Sequence, residues 1–111
     1  MTNSKYTVRI LENFHFMDQS EEYNSGTFDT YEEAVDKCKE IVDGFLESAF
    51  QPGDTANGLY LTYVQYGETP LVWGENLGTF DANQYARKRC KQIVNNHKRR
   101  MKKFIRDIDN E

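Results

Sequence analysis

The alternation of apolar and polar residues predicts short strands in three parts of the chain. In YTVRIL, the residues Tyr6, Val8 and Ile10 alternate with polar neighbours, which is typical of a strand with one buried face. The segment EYNSGTF (22–28) predicts a returning strand, and PLVWG (70–74) predicts a third short strand. The pattern therefore indicates a small antiparallel sheet.

The tetrapeptide GTFD occurs twice and begins two segments, 26–44 and 78–96, that align without a gap. Besides GTFD itself, the segments share five positions, most of them at the spacing of one helical face. The five pairs are Ala34 and Ala86, Cys38 and Cys90, Lys39 and Lys91, Ile41 and Ile93, and Val42 and Val94. We therefore predict a duplicated unit, in which Phe28 and Phe80 end strands on the core side and a helix follows each strand.

The aspartate at the end of each GTFD is predicted to cap the helix that follows it. The carboxylates of Asp29 and Asp81 can accept hydrogen bonds from the free amides of a first helical turn. Glu32 and Gln84 stand three residues later, at the partner position of a capping box. Each GTFD is interpreted as the junction between a strand and a helix.

The segment 55–66 fits two kinds of secondary structure. Its tyrosine, threonine and valine content is typical of a strand. As a helix, it would begin after a Thr55 cap and end at Gly67. Four residues would then share one face: Ala56, Leu59, Tyr63 and Tyr66.

The stretch NFHFMDQSEEYNSGTFDTYEEAVDKCKEIVDGFL (13–46), together with YGETPLV (66–72), resembles a family of small bacterial proteins classed only as a domain of unknown function. The resemblance covers about residues 6–94, and its most specific part is the aromatic-rich loop before the first helix. It implies a bacterial α+β domain and favours the helix over 55–66. It implies no activity, cofactor or catalytic residue.

The last helix is predicted to be longer than the domain that carries it. The first helix is expected from about Thr30 to about Ala49, whereas the last begins at Asp81 and contains no Gly or Pro. From Asn83 to about Ile108 it would measure about 39 Å at about 1.5 Å per residue. A domain of about 100 residues has a radius of gyration near 13 Å, so this helix should overhang its core.

An apolar stripe continues along the overhanging part and is predicted to bind a partner. Such a stripe needs burial, and two copies of the helix could supply it by pairing as a homodimer. The predicted partner-binding residues are His97, Met101, Phe104, Ile105 and Ile108.

Charge divides the chain sharply. Residues 1–86 carry fifteen acidic and four basic side chains, whereas 87–106 carry ten basic and no acidic side chains. Three interpretations stay open: a solvated face leaning on an acidic surface, a nucleic-acid surface, or a surface for an acidic protein or a membrane. The residues that would contact phosphates in the second interpretation are Arg87, Lys88, Lys91, Lys98, Arg99, Lys102 and Lys103.

Residue types with catalytic potential are few. His15 lies between Phe14 and Phe16, a setting more typical of a loop anchored by aromatic rings than of an acid–base catalyst. Cys38 and Cys90 are interpreted as ordinary buried thiols, and the spacing of histidines and cysteines predicts no metal. No glycine-rich phosphate loop or nucleophile motif occurs. The sequence therefore predicts no enzyme and no cofactor.

Four aromatic residues near the middle of the chain admit two interpretations. They are either core and half-exposed packing, or the lining of a small-ligand groove beside the FHFMD loop. These residues are Tyr60, Tyr63, Tyr66 and Trp73.

The predicted fold class is α+β, with a small antiparallel β-sheet packed on one face by two capped α-helices from a duplicated strand–helix unit. Residues 1–96 are expected to form one domain, and 97–111 a basic extension of the long C-terminal helix. The first residues lack a targeting pattern and no apolar run approaches roughly 20 residues, so a cytoplasmic location is expected. The predicted function is self-association, as a homodimer, or docking of a protein partner through the last helix. The alternative is a nucleic-acid-associated factor.

Overall fold

A computed structural model describes residues 5–12, 22–74, 78 and 80–109 of the chain. Three strands and three helices lie in these residues. In chain order they are β1 (Tyr6–Glu12), β2 (Glu22–Phe28), α1 (Tyr31–Ala49), α2 (Ala56–Tyr66), β3 (Glu68–Gly74) and α3 (Ala82–Asp109). The α+β class and the long C-terminal helix are confirmed.

The three strands form one antiparallel sheet in the order β2-β1-β3. Because β1 lies in the centre, its alternation decides which face is buried. Tyr6, Val8 and Ile10 are buried as predicted, and Val8 lies opposite Val72 of β3. The sheet is therefore covered on the face that these residues share.

Two adjoining clusters of side chains form the core, and α1 contributes to both. The first cluster joins β1 to the start of α1, where Ala34 and Cys38 are buried. The second joins the end of α1 to the other two helices, with Leu46, Tyr63 and Cys90 among its members. Helix α1 contacts all three strands, whereas α3 contacts β3 and packs mainly against α1 and α2.

Segment 55–66 is a helix, as the resemblance implies. The Thr55 hydroxyl accepts a hydrogen bond from the Gly58 amide at 3.0 Å and caps α2. Leu59 and Tyr63 are buried, and the Tyr63 hydroxyl donates to the Glu68 carbonyl at 2.9 Å. Tyr66 lies on the same side of α2 as Leu59 and Tyr63 but is exposed, because it is the last residue of the helix.

The predicted cap of α1 is wrong by one residue. The Thr30 hydroxyl, not the Asp29 carboxylate, accepts from the Glu33 amide at 3.2 Å, and it donates to the Glu33 carboxylate at 3.0 Å. The cap and the residue three positions later are therefore Thr30 and Glu33 instead of Asp29 and Glu32. Asp29 and Thr30 form a bend between β2 and α1, and Thr30, in an extended conformation, occupies the N-cap position.

The predicted cap of α3 is confirmed. The Asp81 carboxylate accepts from the amides of Asn83 at 2.9 Å and Gln84 at 3.3 Å. The preceding prediction, that Phe80 ends a strand, is wrong, because β3 ends at Gly74. Phe80 instead packs against both core clusters.

The two GTFD segments coincide in some respects only. Their helices bury the same aligned positions, which are Ala34 and Ala86, Cys38 and Cys90, and Val42 and Val94. Their glycines differ: Gly26 has a φ of 135°, whereas a Cβ on Gly78 would overlap the ring of Tyr31. The duplicated unit itself stays a prediction.

Candidate interaction surface

Helix α3 extends well beyond the core. Its 28 residues span about 42 Å at about 1.5 Å per residue. The radius of gyration is 17.3 Å and the longest extent is 63 Å, compared with a radius near 13 Å for a compact domain of about this size. Val94 is the last buried residue of α3, and every residue from Lys98 to Asp109 is exposed. We call residues 98–109 the overhang.

Polar contacts to α1 fix the base of α3. Arg89 donates from Nε to the Asp43 carboxylate at 2.8 Å, and the Tyr85 hydroxyl donates to the same group at 2.9 Å. A second nitrogen of Arg89 lies 3.7 Å from the Glu47 carboxylate. Burial raises the pKa of Tyr85 to about 12, and the negative charge of Asp43 acts in the same direction.

Arg89 is not among the residues that the sequence predicts for any site. It is the basic residue of α3 that engages the acidic surface of α1. Arg89 directly precedes Cys90, which is buried, so it lies at the margin of the buried face of α3. This position is the one feature of the sequence that indicates a contact between Arg89 and the body. The acidic partners come from another helix, so helical spacing alone did not identify them.

His97 lies where α3 leaves the core. Its ring is half-buried and meets the ring of Phe50 edge-to-face, with centroids 5.3 Å apart. His97 is thus placed apart from the other four predicted partner-binding residues. It packs against its own chain.

The other four residues are exposed on one side of the overhang. Their accessible fractions lie between about two-fifths and three-fifths, although each is a large apolar side chain. They are Met101 at 43%, Phe104 at 58%, Ile105 at 54% and Ile108 at 51%. We call them the apolar stripe. Contiguous exposed apolar residues on a soluble domain are typical of a binding surface.

The residues predicted for phosphate binding lie together on α3. At about 100° per residue they occupy an arc of about 160° beside the apolar stripe. All are exposed, and we call this set the basic face: Arg87, Lys88, Lys91, Lys98, Arg99, Lys102 and Lys103.

Contacts of the basic face with the rest of the chain are few. The guanidinium of Arg87 lies 4.7 Å from the ring centroid of Tyr60, a cation–π contact. Within the described part of the chain, no acidic side chain is within ion-pair distance of the other six residues. Arg89, which is outside this set, contacts the acidic surface of α1, whereas the seven residues of the basic face are exposed to solvent.

The four aromatic residues considered for a ligand groove are not gathered in one place. Tyr63 is buried and stacks on Tyr60, with centroids 6.4 Å apart. Tyr66 is exposed, and Trp73 lies on the outer face of the sheet with the Arg9 guanidinium 5.6 Å from its ring. The FHFMD loop with His15 lies outside the described residues.

Potential metal ligands and thiols offer little chemistry. Among the described residues, no three His, Cys, Asp or Glu side chains are arranged to hold a metal ion. Cys38 and Cys90 are free and buried, and burial raises the pKa of each thiol to about 11. No helix in the described ranges is long and apolar enough to cross a bilayer.

A cleft of about 350 Å³ opens at the base of the overhang. Helix α3 forms one wall, and the loop between α1 and α2 forms the other. Its lining combines apolar and cationic groups and includes Phe50, Val94, His97, Lys91 and Lys98. Asp54 also lines the cleft, and its carboxylate accepts from the Gln51 amide at 2.9 Å.

Comparisons of the chain with models of protein families, with curated proteins and with solved structures found no match. The resemblance to a bacterial domain stays a prediction. Function is therefore argued from the geometry of α3.

Proposed function

We propose that this protein is a small interaction protein that self-associates through the overhang of α3. The observation that carries the proposal is the apolar stripe, which is exposed on a continuous helix beyond the last buried residue, Val94. The proposal assigns no reaction to the chain.

The length of the overhang supports this proposal. A free helix of fewer than about 12–15 residues is marginal in water, because most helical stability in proteins comes from packing one face. Residues 98–109 extend α3 by about that length with every side chain exposed, so only continuity with the packed part of α3 keeps them helical. A second chain on the stripe would supply the missing packing.

The base of α3 supports it as well. The Arg89–Asp43 ion pair and the Tyr85–Asp43 hydrogen bond tie α3 to α1 and so fix its rotation about its own axis. The apolar stripe therefore points in a defined direction from the body. A binding surface held on a rigid element loses less conformational entropy on association than a mobile tail does.

The shifted titratable groups support a role without catalysis. The pKa values of Cys38, Cys90, Tyr63 and Tyr85 are raised, and burial is the largest cause for each. The first three belong to the core clusters, and Tyr85 packs beside them and binds Asp43. They act as packing groups, and none of the four lines the cleft at the base of the overhang.

The runner-up function is nucleic-acid binding through the basic face. It is favoured by the six cationic side chains of that face that have no acidic partner in the described part of the chain. Each could neutralise a phosphate and release a counterion. The acidic body, with fifteen acidic and four basic side chains over residues 1–86, opposes the approach of a polyanion.

Mass in solution separates the two functions. We expect the full chain to sediment as a concentration-dependent dimer, and a chain ending at His97 to sediment as a monomer of unchanged fold. Short DNA and RNA are titrated at two salt concentrations, with the Arg99→Glu, Lys103→Glu double variant as the matched control. A dimer that survives the truncation overturns self-association through the overhang. Salt-steep binding that the double variant abolishes, with the mass unchanged, favours the runner-up.

A further inference from the structure

The spacing of apolar residues on α3 follows a seven-residue repeat. Steps of four and three alternate along one row: Cys90, Val94, His97, Met101, Phe104 and Ile108. This is the spacing of the two core positions of a coiled coil. The first two residues are buried in the chain's own core, and the row then continues onto the overhang. A second helix would therefore pack against the outer residues of this row, because the inner residues already pack in the chain's own core.

The apolar residues of this row can pack against the same row of a second, antiparallel α3. In an antiparallel pair centred between residues 102 and 103, Met101 faces the partner's Phe104. His97 is half-exposed beside its own Phe50, and its exposed side faces the partner's Ile108. Two-fold symmetry repeats both contacts, so the interface has four layers of facing side chains, all supplied by two copies of the same chain. Ile105 covers one margin of these layers, beside the methylene groups of Lys98 from the partner.

Charges on the other margin of the row distinguish the two orientations. Arg100 and Asp107 stand there, each three residues after a member of the row. In the described part of the chain neither has an ion-pair partner. The antiparallel pair places Arg100 beside the partner's Asp107, twice.

A parallel pair would lose this complementarity. Arg100 would face the partner's Ile105, and identical basic residues would lie at the same level on both helices. The overhang carries six of them, namely Lys98, Arg99, Arg100, Lys102, Lys103 and Arg106, with Asp107 and Asp109 at its end. Like charges at the same level repel, so the charge distribution favours the antiparallel pair.

The cleft at the base of the overhang fits the end of an antiparallel partner. In that arrangement the last turn of the partner's α3 lies beside His97. A helix C-terminus is the negative end of its dipole, and here its last turn also carries Asp107. Lys91 and Lys98 line the cleft that receives it.

From these observations we infer that the occupant of the apolar stripe is a second copy of this chain, with its α3 antiparallel and Arg100 paired with the partner's Asp107. The inference rests on the proposed function and adds the orientation and register of the pair. The interface is short: His97 to Ile108 spans less than two seven-residue repeats, or about three helical turns, on each helix. We therefore expect a weak dimer whose population depends on concentration.

A charge exchange tests this arrangement. Arg100→Asp and Asp107→Arg, each alone, place like charges opposite each other and are expected to raise the dimer dissociation constant about threefold to tenfold. The double variant Arg100→Asp, Asp107→Arg has the original net charge and is expected to restore the dissociation constant to within about twofold. Sedimentation equilibrium gives all four constants.

The matched control is the same exchange at outward positions. Arg99→Asp, Asp109→Arg and their double variant change charge identically, and their effects are expected to add without coupling. A dimer that Phe104→Glu dissociates, but in which Arg100 and Asp107 show no coupling, overturns the antiparallel register and leaves the proposed function standing. A dimer that Phe104→Glu does not weaken overturns both. Circular dichroism of each variant checks that α3 stays helical.

Discussion

Arg89 of α3 donates from Nε to the carboxylate of Asp43 on α1 across 2.8 Å. Both side chains are only partly exposed, and the Tyr85 hydroxyl donates to the same carboxylate. The Asp43 carboxylate of α1 thus accepts hydrogen bonds from two side chains of α3, Arg89 and Tyr85, and holds the base of α3 against α1. The direction in which the apolar stripe leaves the core follows from it.

Removing the charge of Asp43 should loosen that base. We expect Asp43→Asn to lower the free energy of unfolding by about 1 kcal/mol, because charge-assisted hydrogen bonds at a partly buried site are weakened. Urea unfolding measures the loss. Asp36→Asn, on an exposed part of the same helix, should cost less than about 0.5 kcal/mol. Equal losses in the two variants would contradict the anchoring role of Asp43.

Helix capping can be tested by neighbouring substitutions. Thr30→Ala should lower the free energy of unfolding by about 1 kcal/mol, because it removes the acceptor of the Glu33 amide. Asp29→Ala, one residue earlier, should have a smaller effect. Asp81→Ala should cost about as much as Thr30→Ala, since Asp81 caps α3. The opposite order of Thr30→Ala and Asp29→Ala in thermal or urea unfolding would restore the original prediction for Asp29.

The two thiols should be inert in the folded chain. Both cysteines are buried and each has a pKa of about 11, so roughly one part in a thousand would be thiolate at pH 8. We expect no labelling by a thiol reagent while the chain is folded, and labelling at both sites in denaturant. Ser48→Cys places a thiol at an exposed site of α1 and should react at once. Rapid labelling of native Cys38 or Cys90 would show that the core opens readily.

Alkaline pH should destabilise the fold. The pKa is raised to about 11 for Cys38 and Cys90, and to about 12 for Tyr63 and Tyr85. Because the folded chain holds these protons more tightly, their contribution is fully present below about pH 9 and is lost as pH rises through the folded-state pKa values. We expect the free energy of unfolding to fall by about 2 kcal/mol or more between pH 8 and pH 11.

A single thiol deletion tests the cause of that pH dependence. In Cys90→Ala the fall between pH 8 and pH 11 should be smaller than in the unaltered chain, whatever the variant's stability at pH 8. Urea unfolding under reducing conditions, repeated across this pH range, gives the pH dependence of the free energy of unfolding for each chain. Identical slopes would assign the alkaline instability to groups other than the Cys90 thiol.

Local patterns predicted much of the fold. The alternation in β1 identified its buried face, and the Thr55 and Asp81 caps were visible as polar residues before apolar helical spacing. The start of α1 was predicted one residue too early because both Asp29 and Thr30 can cap a helix. The two residues are neighbours with similar capping preferences, so the local pattern does not distinguish between them.

The candidate site was predictable in part. The length of α3 and the spacing of Met101, Phe104 and Ile108 identify the overhang and its stripe before any tertiary contact is known. The role of Arg89 was not predictable, because its partner Asp43 comes from a distant part of the chain. Which basic residue of α3 is neutralised by the body depends on packing against α1.

Amide hydrogen exchange across residues 98–109, followed at two protein concentrations, tests the central claim most directly. If a second chain covers the apolar stripe, exchange in this segment should slow as the concentration is raised through the dimer dissociation constant, and Phe104→Glu should remove the concentration dependence. The amides of residues 86–94, where one face of α3 packs in the core of a single chain, should exchange slowly at both concentrations. Fast exchange of 98–109 at every concentration, as in a fraying helix end, would contradict the account.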